Sequence, residues 1–386
     1  MAIPNTMTTF QSATLLNKAL ELTLGEGNVV NEDLSNFVQM GDTVFNTGRQ
    51  QLFAQNLIDV VGKDRYHMRK YTAIAPSMLH IGGEYGSIFR KFSFDLPDDQ
   101  DNATYQLRDG VSVDPNIFKE VKANVKYFNG KQTHEVQLSI TYEMLKQAFH
   151  SPAEMDAFIA GLFNIVYNRQ AKDLENSIML TIDNLIAETI NDNGADRVVH
   201  LLTEYNAIAA TPITDESSAF RDPDFIRYFC ERLALTKSRM RRYSTTFNIG
   251  GKSRFTPEEN QRLILLDVAK VGADIYLQSG TFHNELTKLP DGLETVPCWQ
   301  GSGSGNDAWT FDEITAINVT TQAGNTVSQK YVVGILYDDE AMGVGYENER
   351  TTTNPNGRGE FTNYWFKADC MYFNDTDENA VVFVLD

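Results

Sequence analysis

The chain has 386 residues, 42% of them hydrophobic and 11% aromatic, which describes a folded protein with enough length for two or three domains. Its formal net charge of −19 opposes tight gripping of nucleic acid or an anionic membrane. Three cysteines far apart in sequence (Cys230, Cys298, Cys370) give no disulfide framework and fit a reducing compartment.

Residues 1–80 read as an arm. Short amphipathic helices are expected at 12–23 and 43–61, with polar Gly/Asn/Asp stretches between them. No window here holds enough apolar residues for a core, so the segment must pack on the rest of the molecule or on a neighbouring chain. The first twenty residues lack a basic stretch followed by an apolar one, so no signal peptide is read. No run of apolar residues is long enough to span a membrane.

The character changes at 84–94, EYGSIFRKFSF. Ile88, Phe92, Phe94 and Leu96 alternate, as in a strand with one apolar face. A turn-rich acidic tip follows, with Asp95, Asp98, Asp99 and Asp101, and the chain returns through 107–115. Such a two-stranded excursion over about 85–121 is marginal alone in water and needs something to lie on. Next come two strands joined by Asn129–Gly130, the dipeptide favoured in two-residue hairpins.

Residues 151–190 carry the strongest local signal. Ser151, Pro152 and Glu154 form a capping-box start, and helically spaced apolar residues run from Met155 to Ile186. One continuous helix is expected, ending at the NDNG break, 191–194. The stripe weakens at Arg169–Asp173, where a bend or polar contacts would fall. Residues 195–330 read as an α/β unit. They contain a strand opening at DRVVH, a helix from Asp222–Pro223, a buried strand at 262–267 and a helix at 270–278. Further strands are expected at LETVPCWQ and DEITAINVTTQ, with a GSGSGND loop at 301–307. Residues 330–386 are β-rich and end on AVVFVL, a strand that needs a partner.

The search for chemistry is mostly negative. Metalloprotease, nucleophile-elbow, phosphate-loop and CxxC patterns are absent. GSGSGND has Asn306 where a dinucleotide loop needs glycine. Asp375, Asp377 and Asn379 space like the start of a calcium loop, but Ala380 stands where glycine belongs, so a solvated acidic turn is expected. Six scattered histidines form no pair at helical spacing. The one basic run, Lys237, Arg239, Arg241 and Arg242, reads as the solvated last turn of a helix, DNA contact being the alternative. No catalytic, cofactor or metal residues are nominated, and the chain is not expected to be an enzyme.

The order of these features, together with EYGSIFRKFSF (84–94) and GRGEFTNYWFKADCMYFNDTDENAVVFVLD (357–386), resembles the major capsid proteins of tailed bacteriophages. Encapsulin shells share that HK97-like capsid fold. The resemblance implies an α+β subunit with an N-terminal arm at 1–83 and an extended β-ribbon loop at 84–121. It also implies a peripheral domain at 122–195 and 331–386, with spine helix 151–190, and an axial domain at 196–330. Hexamers and pentamers would build an icosahedral shell in the virion, assembled in the bacterial host cytoplasm and enclosing double-stranded DNA without sequence-specific binding. Implied partners are further copies of the chain, a scaffolding protein, a portal protein and, as an option, decoration proteins.

Candidate inter-subunit contacts are Arg90, Lys91, Asp98, Asp99, Asp101, Arg108, Arg350 and Arg358. Only about eighty residues precede the ribbon, too few for the long scaffolding segment of some members, so a separate scaffolding protein is expected. The ribbon at 95–107 contains no lysine and Lys91 stands at its base, so lysine-mediated cross-linking is not expected. The alternatives are an encapsulin-like compartment and, in another class, a soluble hydrolase or carbohydrate-binding protein.

Overall fold

The structure is a computed structural model. It describes residues 9–25, 27, 29–31, 35–57, 78, 89–94, 109–110, 116, 118, 120, 123–194, 196–279, 293–300, 309–321 and 324–386. Two compact units emerge from the chain's own contacts: Met1–Ala73 with Lys131–Ser177 and Tyr346–Cys370, and Ile74–Gly130 with Ile178–Gly345 and Met371–Asp386.

In the first unit the N-terminal segment packs on its own chain. It forms α1 (Thr9–Leu24), α2 (Phe37–Asn46) and α3 (50–57). Leu16, Leu20, Phe37, Val44, Phe53 and Leu57 pack with Ile140, Leu145, Phe149, Tyr364 and Phe366 in one apolar core. The Phe149 ring lies 5.6 Å from Phe37, 6.0 Å from Phe45 and 5.1 Å from Phe53. The single helix expected at 43–61 is instead two. Gly48, at φ +65°, takes the left-handed turn that ends α2, and Arg49 N–H closes it on Val44 C=O at 3.1 Å. Arg49 Nη1 then donates to Thr23 C=O at 2.8 Å, which satisfies a carbonyl at the end of α1.

Strand β3 (Lys131–Thr141) leads into α4 (Tyr142–Ala148), where Thr141 Oγ1 accepts from Met144 N–H. The long helix α5 is continuous from Pro152 to Asp192 and spans about 60 Å at 1.5 Å per residue. Ser151 Oγ accepts from Glu154 N–H at 3.3 Å, as the capping signal requires. The weak middle of the stripe is no break: Arg169 reaches Asp173 one turn on at 3.2 Å. Asn193, at φ 51°, turns the chain out of the helix.

The second unit is built on a five-stranded sheet. Its order is β4 (Val198–His200), β12 (Ala380–Val384), β9 (Val332–Asp338), β5 (Gln261–Leu266), β6 (Leu293–Val296). The C-terminal strand β12 pairs parallel with β4 and antiparallel with β9. All residues of β9 and β12 are buried, which explains their unbroken apolar runs. Gly334 is required in β9, because a Cβ there would lie 2.6 Å from Ile264 C=O on β5. Helices α6 (Leu201–Asn206), α7 (Pro223–Met240) and α8 (Asp267–Ser279) flank the sheet, and Phe220, Phe225, Phe229 and Leu233 join the core formed with Leu263, Leu336 and Phe383. Asp222 caps α7 through the Asp224 and Phe225 amides, ahead of Pro223 at the first position.

Neither the full extent of one expected strand nor one expected hairpin holds. DEITAINVTTQ opens with a short helix, α9 (Phe311–Ile314), followed by β7 (Ile317–Thr320), which pairs with β8 (Thr326–Gln329). Asp312 and Glu313 sit in the first turn of that helix, where its dipole favours them. Asn129–Gly130 is not a hairpin turn either. The strand before it, β2 (Ala123–Phe128), pairs with β1 (Phe89–Phe94). Strand β3 belongs to a different sheet, of order β10 (Met342–Asn356), β11 (Phe361–Asn374), β3. A two-residue hairpin needs positive φ, and neither Asn129 nor Gly130 has it. Gly130 C=O accepts instead from Tyr372 N–H at 3.1 Å.

Candidate assembly surface

Strands β1 and β2 form an antiparallel ribbon with Lys91 opposite Lys126 and Phe92 opposite Val125. Alternation then sorts the side chains onto two faces. One carries Arg90, Phe92, Phe94, Ala123, Val125 and Tyr127, all exposed; the other carries Lys91, Ser93, Asn124, Lys126 and Phe128, all partly buried. The aromatic face is the open one: Phe92 is 54%, Phe94 64% and Tyr127 64% exposed. Arg90 lies over the Phe92 ring, 4.7 Å from its centroid.

The lysine face is seated on the turn after β11. Lys91 Nζ lies 2.8 Å from Glu378, 3.1 Å from Asp375 and 3.1 Å from Glu340. Lys126 Nζ lies 2.8 Å from Asp375 and 2.6 Å from Asp377. Arg254 approaches Glu378 at 3.5 Å from another side. Phe128 packs on Phe373, with ring centroids 5.3 Å apart. The acidic turn is therefore not solvated as expected. Asp375 is 2% exposed because two ribbon lysines and the Asp377 amide use its carboxylate.

Burial alone would pull both lysine ammoniums down. Hydrogen bonds and charge from Glu378 and Asp375 outweigh it at Lys91, and from Asp375 and Asp377 at Lys126, so both rise above the ordinary lysine value. Burial pushes both acids up. Lys126 and Lys91 reverse this at Asp375, whose pKa ends lowered, while Glu378 stays raised.

Arg350 forks onto Asp369 in the first unit, with Nη1 at 2.8 Å and Nη2 at 3.2 Å. Thr133 Oγ1 at 2.6 Å and Lys131 Nζ at 3.1 Å reach the same carboxylate from β3. The Arg350 fork, with Thr133 and Lys131, holds Asp369 far below the usual carboxylate range despite its burial. Arg358 lies exposed in the turn between β10 and β11, where its amide donates to Asn356 Oδ1. Among the described residues neither Arg358 nor Arg90 has a carboxylate partner, whereas Lys91 and Arg350 are engaged within their own chain. Asp98, Asp99, Asp101 and Arg108 lie outside the described residues, as does the 301–307 loop.

Phe92, Phe94, Val125 and Tyr127, all exposed, are not among the contact residues expected from sequence. The signal was available in the alternation of both strands, but not which face would be open.

The fold is that of phage capsid subunits. The chain is similar to one in the capsid structure of Staphylococcus phage Andhra, with a TM-score of 0.52, 8% identity, and 80% of this chain and 83% of that chain covered. It is also similar to one in the structure of head fiber and inner core protein gp22 of native bacteriophage P68, with a TM-score of 0.53, 9% identity, and 82% and 86% covered. Residues 16–384 match the Phi29-like phage major capsid protein model, and the chain belongs to that family. No curated protein matches it.

Proposed function

We propose that this major capsid protein builds its shell by laying the open face of the β1–β2 ribbon on a second copy of the chain. The exposed aromatic face of the ribbon carries this reading. A subunit that seats its ribbon lysines on its own acidic turn and turns Phe92, Phe94, Val125 and Tyr127 to water has an apolar surface awaiting cover. A contact of one patch with a different patch on the next copy is head-to-tail, and closes into rings of six and five. Among the described residues, Arg90 and Arg358 are the candidate cations left to reach a neighbour's carboxylates, Asp98, Asp99 and Asp101 among them.

In this reading 1–83 is the arm and 84–121 the extended loop. The peripheral domain takes 122–195 and 331–386, and the axial domain 196–330, with β9 and β12 hydrogen-bonded into the axial sheet. The role is structural, with no catalytic step. The subunit resides in the virion after assembly in the host cytoplasm with separate scaffolding and portal proteins, and decoration proteins can join the finished shell. The net charge of −19 suits a wall that contains duplex DNA without gripping it.

The test is the double substitution Phe92→Ser/Tyr127→Ser, co-expressed with the scaffolding protein. Thermal unfolding of the free subunit is expected to stay near wild type, because both side chains are more than half exposed. Closed particles in negative-stain images are expected to disappear. Normal particles from the double variant would refute the ribbon contact.

A further inference from the structure

We propose that the cleft at the C-terminal end of α7 binds a phosphate monoester. The cleft has a volume of about 470 Å³, within the usual range for small-ligand sites. Arg239, Arg242, Ser238, Ser244 and Thr246 line it, with Asp196 on its wall. The basic run at 237–242 reads from sequence as the neutralisation of a helix end. Neutral donors satisfy the carbonyls at that end. Gln261 Nε2 donates to Lys237 C=O at 3.0 Å, Arg242 N–H to Arg239 C=O at 3.1 Å, and Thr256 N–H to Met240 C=O at 2.8 Å.

The guanidiniums are therefore not needed as hydrogen-bond caps, and their charge offsets the negative end of the α7 dipole. Arg241 turns to Glu258 at 3.5 Å, while among the described residues Arg239 and Arg242 have no carboxylate partner. Both are exposed, and both line the concavity. Arg232, which also lines the cleft, is held by Glu204 at 2.7 Å and 2.9 Å, so its charge is already spent.

The chemistry selects an oxyanion. Planar guanidiniums offer paired N–H donors matched to phosphate oxygens. Ser244 Oγ accepts from Thr246 N–H at 2.9 Å, which leaves its own O–H to donate into the cleft. Asp196 limits how much negative charge the cleft accepts. A carboxylate on the wall repels a continuous polyanion such as a DNA strand, yet accepts a hydrogen bond from a hydroxyl. One phosphate on a hydroxylated body fits both sides; a nucleic-acid backbone does not.

The experiment titrates the full chain, as purified, with adenosine monophosphate, inorganic phosphate and a short DNA duplex. Expected is saturable binding of the nucleotide, displaced by inorganic phosphate and weakened about 100-fold in Arg239→Ala/Arg242→Ala. Arg241→Ala, outside the cleft, keeps wild-type binding. Arg242→Lys keeps the charge and loses the fork, so intermediate affinity is expected should the double variant misfold. No saturable nucleotide binding, or binding unchanged in the double variant, overturns the proposal. Duplex binding that the nucleotide does not compete overturns it in favour of the DNA backbone. Particle formation is a separate readout, so failure here leaves the ribbon contact standing.

Discussion

Lys91→Met removes the ammonium that ties β1 to the acidic turn while keeping most of the stem. Of its three partners, Glu340 is 64% exposed on its side chain and contributes little. Asp375 and Glu378 are 2% and 10% exposed, so two mostly buried, charge-assisted contacts are lost. Each is worth about 1.5–3 kcal/mol. Lys126 still holds Asp375 and Arg254 still faces Glu378, which brings the expected cost to about 2 kcal/mol for opening the ribbon. Hydrogen exchange of the β1 and β2 amides reads this directly, and should accelerate roughly 30-fold.

The pH dependence has a definite sign. Lys91 is raised in the fold, so its contribution is complete below the ordinary lysine value of 10.5 and lost as pH rises through the folded value. The difference between wild type and Lys91→Met should stay flat near neutrality and narrow at strongly alkaline pH. On the acid side Glu378, which is raised, gives up its charge before Asp375, which is lowered. Unchanged exchange in both Lys91→Met and Lys126→Met would refute the idea that this cluster seats the ribbon.

Asp183, buried on α5, has one carboxylate oxygen without a partner, and burial pushes its pKa to about 8. The folded state then holds a proton that the unfolded chain has shed, so stability should fall as pH rises from about 4 to about 8. Asp183→Asn should flatten that slope in denaturant titrations and stabilise the chain by about 1–3 kcal/mol at pH above 8. Gly41 on α2 has no room for a side chain, since a Cβ would meet the Phe149 ring at 2.6 Å. Gly41→Ala should therefore cost about 1–3 kcal/mol in thermal unfolding, despite its better helix propensity. Arg350→Lys keeps the charge but loses the fork on Asp369, so the Asp369 carboxyl should titrate at higher pH by NMR than in wild type.

Element identity was largely written locally. The Ser151–Pro152–Glu154 start and the missing breakers specify α5; Asp222–Pro223 specifies α7; and the apolar runs of β5, β9 and β12 follow from burial on both faces. Where the fold departs from the local pattern, the deciding partner is far away in sequence. Asn129–Gly130 has hairpin chemistry, yet β2 pairs with β1 and β3 lies beside β11, more than two hundred residues on. The acidic turn at 375–378 reads as solvated because Lys126 stands 249 residues from Asp375 in sequence. The ribbon shows the same limit most sharply. Alternation fixes which residues of β1 share a face, because successive side chains point to opposite sides of a strand. It carries no sign. Only the fold, by setting Lys91 and Lys126 on buried carboxylates, turns Phe92, Phe94 and Tyr127 outward to where a neighbouring subunit can cover them.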